Sequence, residues 1–557
     1  MDRWSLPVTA GLLAGVGAGT FAATLAALVL GQLTPALSFL GVGVGLGVGV
    51  WTCREMGPEG PPVVAESRRW ADLAVAGLFG VVAGRQFLGL HVERAGEVLT
   101  GNQYNFGDLP LHITYIRFFA GGAPFWPENP VFTTARLQYP IGIDVWNAML
   151  VQLGLPLGLG LAATGLLASA LAGVALWRWA GSLALLAFLL SGGIGHTDDL
   201  AWKNLFLALF VTQRAFLFAL PAGLLLLESW RRRFLGQGAP SLPAWVEGVL
   251  WGVMPLFHLH SFALVSLVFA CWVLVSRRFG AGRTPLAIAV FPGSLGVLLV
   301  TESFRAASLI GWRPGWTLAE DEGFLLFLAR NFTVYPLLLA WGTWVCWRRR
   351  ERAVLAALVP AVALWVLLFF VKLQPWAWDN TKVMLWCYLL SLPAIGAGLG
   401  RLPGASRGLL LGAWLLPGSV AVADATLDPR HAYTLYDLAE TRAVCGALAG
   451  IPVQRRVAVW PTFNHPVALC GHALVAGYGG HLWTYGIDPR FVSDRLEELM
   501  RGRPGWEQAA RDLRARYLFW GPREAREWRA WQRPWERSRA VVASGSWGRL
   551  YDLESSK

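Results

Sequence analysis

The chain has 557 residues, of which 55% are hydrophobic and only 15% are charged, and its mean hydropathy is +0.47. Soluble domains carry roughly 25% charged residues, so this composition excludes an ordinary soluble protein and predicts a polytopic membrane protein. The net charge of +12 does not indicate nucleic-acid binding here, because the basic residues cluster where cytoplasmic loops are expected.

Thirteen apolar segments predict transmembrane helices, because a hydrocarbon core about 30 Å thick needs roughly 20 apolar residues per helix. They are 6–31, 35–53, 71–91, 157–178, 181–195, 207–229, 244–258, 262–276, 284–301, 324–345, 353–371, 383–400 and 407–423. The first segment is too long for a typical signal-peptide core, so we expect an uncleaved anchor. The segment "IGIDVWNAMLVQL" (141–153) is interpreted as an interfacial or partly inserted helix of the outer loop, because a crossing there would place the basic loops that follow on the wrong side of the membrane.

The basic residues set the predicted orientation, because cytoplasmic loops carry an excess of Lys and Arg. Alternating crossings place the following on one side: Arg54, Arg68, Arg69, Arg178, Arg231–Arg233, Arg277, Arg278, Arg283, Arg348–Arg350, Arg352, Arg401 and Arg407. That side should be the cytoplasm, with the N-terminus. The extracytoplasmic side then receives 92–156 as the first large loop, three shorter loops, and the C-terminal residues.

The last ~130 residues change in character. "RRVAVW" and "ARYLFWG" are typical of short strands, whereas "TLYDLAETRAVCGAL", "SDRLEELMRG" and "WEQAARDLRAR" are typical of amphipathic helices. We therefore predict a transmembrane domain over 1–423 and an extracytoplasmic α/β domain over 424–557. Within the latter, "CGHALVAGYGGHLWTYGIDP" (470–489) has two interpretations: a turn-rich connection, which we slightly favour, or a mobile flap over a site at the membrane face.

Cysteine and glycine patterns exclude several kinds of site. The sequence contains neither CxxC nor a Cys/His zinc spacing, neither a Walker loop nor GxGxxG opening a βαβ unit, so nucleotide chemistry has no support. Cys445 and Cys470 both fall in the outer domain, where a disulfide is permitted, and their pairing is a hypothesis.

Polar side chains recur at the predicted outer helix ends. The motif "GDLPLH" (107–112) places Asp108 and His112 four residues apart, which a helix would turn to roughly the same side. The further candidates are His196, Asp198, Asp199, Arg214, His258, His260, Glu302, Arg305, Asp379 and Lys382. Taken singly, each of these residues has an ordinary structural explanation: a loop Asp is usually a helix cap, and a His usually packs against its neighbours. Arg214 is harder to dismiss, because a charge in a membrane helix usually faces a cavity or a partner.

Carboxylates, cations and an apolar setting together fit a lipid-linked phosphosugar donor. The phosphate needs guanidinium or ammonium partners, and Arg can bind it as a fork. The acceptor hydroxyl needs a base, which a carboxylate provides, and the transition state should resemble an oxocarbenium ion.

At these residues the chain resembles the C-type (GT-C) integral-membrane glycosyltransferases, which include protein O-mannosyltransferases, aminoarabinose transferases of lipid A and oligosaccharyltransferase catalytic subunits. Members carry an acidic residue in the first large outer loop, here Asp108, and a second acidic site in the next outer loop, here Asp198 or Asp199 within "HTDD". The segments "GDLPLHITYIRFFAGG", "HLHSF", "PWAWDNTK" and "GYGGHLWTYGIDP" resemble uncharacterised bacterial members.

The resemblance implies roles for named residues. Asp108 would be the base, with Asp198 and Asp199 as further catalytic acids. Arg214, Lys382 and Arg305 would bind the donor phosphate. His112, His196, His258, His260, Glu302 and Asp379 would bind substrate or support the site. A metal, if used, would be Mn²⁺ or Mg²⁺ on Asp108, Asp198 and Asp199.

The resemblance further implies a multi-pass protein of the bacterial inner membrane, within the lipid bilayer. It would transfer sugar from a polyprenyl-phosphate donor to an extracytoplasmic glycan, lipid or protein. The sequence departs from the family pattern at Leu109, where many members have a second acid, and it lacks a WWD-type motif, so protein N-glycosylation has no support. The alternatives are a transporter or flippase of lipid-linked or anionic cargo, and a non-catalytic envelope assembly protein.

Overall fold

The computed structural model describes residues 3–58, 69–195, 199–236, 238–301, 310–428, 432–528 and 532–556, and the statements below concern these ranges. The chain divides into two compact units. We call the first the helical unit, which comprises 1–22, 40–88 and 161–431. We call the second the mixed unit, which comprises 23–39, 89–160 and 432–557.

Helices dominate the chain, as its long apolar segments predict. They are α1 (Ser5–Leu30), α2 (Pro35–Met56), α3 (Arg69–Leu88), α4 (Asn105–Ala120), α5 (Gly142–Gln152), α6 (Leu157–Ala180), α7 (Ser182–Leu189), α8 (Phe216–Leu235), α9 (Ala244–Phe257), α10 (Leu259–Ser276), α11 (Arg283–Val300), α12 (Phe324–Phe332), α13 (Tyr335–Arg348), α14 (Arg352–Leu368), α15 (Thr381–Leu399), α16 (Gly404–Leu427), α17 (Leu438–Leu448), α18 (Pro466–Leu469), α19 (Gly479–Thr484), α20 (Arg490–Met500), α21 (Trp506–Asp512), α22 (Pro522–Glu527) and α23 (Pro534–Ser538).

Eight helices in the described ranges are long and apolar enough to cross a membrane: α1, α2, α3, α6, α10, α11, α15 and α16. A ninth span results if α12 and α13, which are bent by 84° at their junction, count as one. Every one of the thirteen predicted segments contains helix, but thirteen crossings are not confirmed. Segment 181–195 forms only the eight-residue α7, and α9 and α14 are shorter than a full span.

Several of these helices expose apolar side chains that water would not favour. Only 22% of the most apolar window of α16 is buried, and Leu409, Leu416 and Val420 are all more than half exposed. In α15, by contrast, 78% of the window is buried. Apolar faces of this extent are typical of lipid contact, which supports a membrane-embedded helical unit.

Glycines let α1 and α2 approach each other closely within the helical unit. A Cβ atom on Gly15 would lie 2.5 Å from the carbonyl oxygen of Gly45, and one on Gly19 would collide with the carbonyl of Gly41. Both helices repeat glycine every fourth residue, and small residues at this spacing are typical of helix pairs in membranes.

Arginines at the predicted cytoplasmic helix ends are neutralised by buried carboxylates. Arg178 donates two hydrogen bonds of 2.9 Å to Glu228, which also pairs with Arg232 at 2.9 Å. Arg233 pairs with the buried Glu247 at 2.8 Å. These pairs tie α6, α8 and α9 together, because a buried carboxylate requires a cation or donor nearby.

The mixed unit contains two sheets. The strands are β1 (Val92–Arg94), β2 (Glu97–Thr100), β5 (Tyr433–Asp437), β6 (Val457–Ala458), β7 (Tyr517–Trp520), β8 (Arg539–Gly545) and β9 (Gly548–Ser556), while a short β3–β4 pair (Gly311–Trp312 and Val371–Lys372) belongs to the helical unit. One sheet has the order β1-β2-β5, all antiparallel. The other has the order β6-β7-β9-β8, with β6 and β7 parallel.

The predicted strands in "RRVAVW" and "ARYLFWG" are confirmed as β6 and β7, and the predicted helices near 142–152, 490–500 and 506–512 are confirmed as α5, α20 and α21. The prediction of one helix through "TLYDLAETRAVCGAL" is wrong at its start. Residues Tyr433–Asp437 form β5 instead, because their backbone pairs with β2 and Asp437 then caps α17 by accepting from the Glu440 N–H. The domain boundaries and the membrane orientation stay predictions.

Cys445 and Cys470 form a disulfide within the mixed unit, with their Cα atoms 5.2 Å apart. The hypothesis that these two cysteines pair is therefore confirmed. The bridge ties α17 to the start of the glycine-rich segment 470–489.

Candidate active site

Helix α4 carries the "GDLPLH" motif in its first two turns. It begins at Asn105, so Asp108 and His112 are both helical. At this spacing they lie on the same side of the helix. Asp108 is half-buried in the first turn, where the positive end of the helix dipole favours a carboxylate, whereas His112 is only 1% exposed.

His112 pairs with Asp144, which lies in the first turn of α5. The His112 Nδ1 atom is 2.8 Å from Asp144 Oδ1, and both side chains are buried. An ionised carboxylate only accepts, so Nδ1–H donates and Nε2 keeps its lone pair in the neutral ring. That Nε2 atom lies 3.5 Å from the Tyr139 hydroxyl. The other carboxylate oxygen, Asp144 Oδ2, is buried and accepts no hydrogen bond from the described residues.

Tyrosines line the His112–Asp144 pair. The ring centre of Tyr139 is 5.9 Å from His112, 5.4 Å from Tyr115 and 5.5 Å from Tyr485. Burial, and then the charge of Asp144, raise the pKa of Tyr115, so its phenol stays protonated. Buried phenols therefore lie close to a carboxylate oxygen that has no donor among the described residues.

The segment 470–489 packs against α4. Arg117 donates a hydrogen bond of 2.7 Å to the carbonyl of Leu469, and a Cβ on Gly471 would lie 2.5 Å from the Arg117 backbone. Farther along, His481 Nε2 faces Gly107. Burial lowers the pKa of His481 to about 4, so this ring is neutral at pH 7. Whether the segment moves as a flap stays a prediction.

We call these side chains the His112 cluster: Asp108, His112, Tyr115, Tyr139, Asp144, His481 and Tyr485. The sequence identified Asp108 and His112 but not the other five as site residues. Asp144 lies 32 positions from its partner, and nothing in the spacing marks the pair. His481 and Tyr485 do stand in the segment "GYGGHLWTYGIDP", which the sequence analysis singled out, so its aromatic residues were the available signal.

Arg214 lies in the helical unit at an interruption of the apolar segment 207–229. A π-helix over Phe206–Val211 ends before it, and α8 begins at Phe216. The side chain is 1% exposed, and its Nη2 atom is 3.5 Å from the Leu161 carbonyl. Arg214 is therefore buried between two helical segments and not within one continuous helix. Its role toward phosphate stays a prediction.

A second polar group of the helical unit contains four of the predicted residues: His258, His260, Asp379 and Lys382. His258 caps α10 by accepting from the Ser261 N–H, and its ring centre is 5.6 Å from that of His260. Both rings lie within Coulombic range of Lys382, which pairs with Asp379 at 3.1 Å. His258 has an extended backbone and precedes the helix, whereas His260 lies in its first turn.

The second acidic site is described only in part. Asp199 is exposed, and its backbone carbonyl accepts a hydrogen bond of 2.6 Å from Arg330. The predicted residues His196, Asp198, Glu302 and Arg305 lie outside the described residues. Within the described part of the chain, no three His, Cys, Asp or Glu side chains group closely enough to hold a metal ion. Asp108 belongs to the mixed unit, whereas Asp199 and Arg214 belong to the helical unit, and their convergence stays a prediction.

No protein-family model and no curated protein matches the chain. Among solved structures, the chain is similar to the crystal structure of the Archaeoglobus fulgidus oligosaccharyltransferase tethered to an acceptor peptide that contains the NVT sequon. The sequence identity is 14% and the TM-score is 0.38, over 88% of this chain and 75% of that one. A likeness at that level establishes neither a common fold nor a common activity, so function rests on the residues themselves.

Proposed function

We propose that this protein is a membrane glycosyltransferase that moves a sugar from a polyprenyl-phosphate donor to an extracytoplasmic acceptor. One observation carries the proposal: a half-buried carboxylate, Asp108, stands one helical turn from the buried His112–Asp144 pair, which keeps one acceptor oxygen without a donor among the described residues. Buried polar atoms of this kind are retained where a ligand or a reaction uses them.

In the proposed reaction Asp108 takes the proton of the acceptor hydroxyl. The acceptor oxygen then bonds to the anomeric carbon of the sugar. The bond from that carbon to the phosphate oxygen breaks, and its electron pair leaves with the polyprenyl phosphate. His112 acts as a positioning residue, because Asp144 fixes its ring and leaves Nε2 as an acceptor near Tyr139.

The helical unit supplies the proposed phosphate-binding cations. Arg214 is buried among apolar helices, where a charge costs about 2.5–3.5 kcal/mol on insertion scales and is therefore usually retained for function. Lys382 is held by Asp379 beside two histidines. Both cations suit a departing phosphate, which gains negative charge in the transition state.

The proposed placement outside the cytoplasm has support independent of the charge pattern. The Cys445–Cys470 disulfide lies in the mixed unit. Disulfides persist mainly in oxidising compartments, so the bridge favours an extracytoplasmic mixed unit and hence an extracytoplasmic acceptor.

Mass spectrometry of envelope glycans, lipids and glycoproteins from a deletion strain tests the proposal. The strain would be complemented with the wild type, with Asp108→Asn, or with Asp488→Asn, whose carboxylate is exposed and pairs only with its neighbour Arg490. We expect one sugar-sized mass to disappear on deletion, to return with the wild type and Asp488→Asn, and to stay absent with Asp108→Asn. Restoration by Asp108→Asn would remove Asp108 from the mechanism.

A transporter of lipid-linked or anionic cargo is the second candidate, because two helices are interrupted as in many transporters. One break precedes α8 at residues 212–215, and the other is the 84° bend between α12 and α13. In proteoliposomes a transporter would move the donor across the bilayer with its sugar still attached, whereas a transferase would release polyprenyl phosphate.

A further inference from the structure

One end of the β6-β7-β9-β8 sheet forms an arginine-rich cavity of about 620 Å³, which we call the arginine cavity. Its arginines are Arg455, Arg456, Arg511, Arg514, Arg516 and Arg539. The topology explains this concentration. Arg455 and Arg456 directly precede β6, and Arg514 and Arg516 directly precede β7, which runs parallel to β6. Residues that precede parallel strands meet at the same edge of a sheet.

The cavity also contains carboxylates, in half the number of the arginines. Glu128 accepts from Arg456 and from Arg514, each at 2.9 Å, and these hydrogen bonds lower the pKa of Glu128. Glu507 pairs with Arg539, and Glu554 pairs with Arg516. The three acids therefore hold part of the guanidinium array in place without neutralising all of it.

Two guanidinium groups remain available for a ligand. Arg455 is exposed and makes neither a side-chain hydrogen bond nor an ion pair with any described residue. Arg511 is also exposed, and its side chain donates only to the neutral amide of Gln508. In addition, the Nε atom of Arg539 is buried without a hydrogen-bond acceptor in the described structure. All three arginines line the cavity, so an anion bound there would have donors within reach.

The residues that line the cavity favour a ligand with both acidic groups and hydroxyl groups over a simple anion. Guanidinium forks suit carboxylate or phosphate groups, whereas the Glu128 and Glu554 oxygens and the Gln454 amide suit hydroxyl groups. A volume of about 620 Å³ lies within the range of roughly 300–1,000 Å³ for small-molecule sites, and it far exceeds a single phosphate ion. A ligand that carries both acidic groups and many hydroxyls can bind the guanidinium groups, the carboxylates and the amide together.

We propose that the arginine cavity binds an anionic saccharide, with its acid groups on Arg455 and Arg511 and its hydroxyls on the glutamates. The identification of this saccharide as the acceptor rests on the proposed glycosyl transfer, whereas the binding itself does not. The cavity is distinct from the His112 cluster, since it shares none of its residues.

Titration calorimetry on the full-length protein in neutral-lipid nanodiscs tests the inference, with trigalacturonate as the anionic probe, maltotriose as the neutral probe, and inorganic phosphate alone. The variant is Arg455→Gln/Arg511→Gln. The matched control, Arg490→Gln/Arg526→Gln, removes the same charge from exposed arginines outside the cavity. We expect trigalacturonate to bind the wild type and the control alike and the cavity variant roughly tenfold or more weakly, with maltotriose not binding.

Equal trigalacturonate affinity in the cavity variant and the control would overturn the inference, as would phosphate binding as tightly as trigalacturonate. Repeating the titration with Asp108→Asn separates the two proposals, because cavity binding should persist in that variant even if glycosyl transfer is lost. A third outcome would also overturn the inference: trigalacturonate does not bind the protein in neutral nanodiscs, but the protein captures nanodiscs that contain phosphatidylglycerol. The cavity would then be assigned to lipid headgroups.

Discussion

Among its described residues the mixed unit contains two buried pairs of histidine and carboxylate, and they differ in what surrounds them. In the pair His465–Glu524, the Nε2 atom lies 3.0 Å from Glu524 Oε1, and the other ring nitrogen accepts from the Val467 N–H. Glu524 also accepts from the backbone N–H groups of Trp460 and Gly521, both at 3.0 Å. Each nitrogen and each oxygen of this pair thus has a partner, and the pair links three loops.

The His112–Asp144 pair is as well buried, yet Asp144 Oδ2 lacks a donor among the described residues and His112 Nε2 faces a phenol at 3.5 Å. A fully satisfied buried pair stabilises a fold, whereas a partly satisfied one costs stability unless a ligand completes it. The difference indicates that His465–Glu524 holds the α/β part together and that His112–Asp144 belongs to a site.

Glu524→Gln should have the largest effect, and it should be on stability. The amide cannot accept from the Gly521 N–H, and a buried donor without a partner and a lost charge pairing together cost about 3 kcal/mol. Hydrogen exchange of the peptides around 457–469 and 517–524 measures the loss. Glu527→Gln, which alters an exposed neighbour pair, should change exchange little. A loss below about 1 kcal/mol would show that the pair is not structural.

Asp144→Asn should instead affect activity strongly and stability little. The amide oxygen can still accept from His112 Nδ1, and the new N–H₂ replaces an oxygen that has no donor in the described structure, so stability should change by less than about 1 kcal/mol. Sugar transfer should fall about 100-fold, because the positioning of His112 depends on a charged partner. Rate measurements with donor at saturation check this. A stable variant with wild-type turnover would contradict the assignment of the pair to a site.

Acidification should have the smallest effect of the three changes, and it should lower the stability near His481 before the stability near Glu524. Burial lowers the pKa of His481 to about 4, so between pH 6.5 and 4 the unfolded state binds a proton that the folded state does not. Stability near the His112 cluster should therefore fall as pH drops, by about 2 kcal/mol at pH 5. Glu524 has its pKa lowered by His465 and backbone donors against the effect of burial, so its contribution is lost only below pH 4.5.

Hydrogen exchange at pH 7 and pH 5 tests this order. Peptides around 478–486 should loosen first, and His481→Gln should flatten their pH dependence while leaving that of 517–524 unchanged. An identical slope in the variant would show that His481 is not the group that titrates.

Much of the helical architecture followed from the sequence, because apolar runs have few alternatives in a membrane. All thirteen segments contain helix, and Asp108 and His112 share a helical face as their spacing predicts. The number of membrane crossings could not be predicted from the sequence, since it depends on local breaks in the helices. Nothing in "VTQRAF" forecasts that a π-helix ends just before Arg214.

The candidate site was predictable only where its residues are close in sequence. Asp144, Tyr139, Tyr485 and His481 reach α4 through tertiary packing, which hydrophobic periodicity does not encode. The same reason explains the β5 error. Tyr433–Asp437 contains two Tyr and a Thr, which favour strands, but its strand partner β2 lies more than 330 residues earlier, so the pairing is not visible in the local sequence.

The β1-β2-β5 sheet can be completed only late in the synthesis of the chain. Strands β1 and β2 emerge early in synthesis, but β5, the second partner of β2, follows α16, so β2 has to wait for it. At about 5–20 residues per second the ribosome takes roughly 15–70 seconds to supply the intervening chain. During that interval β2 presents an unpaired edge, which a chaperone would have to shield.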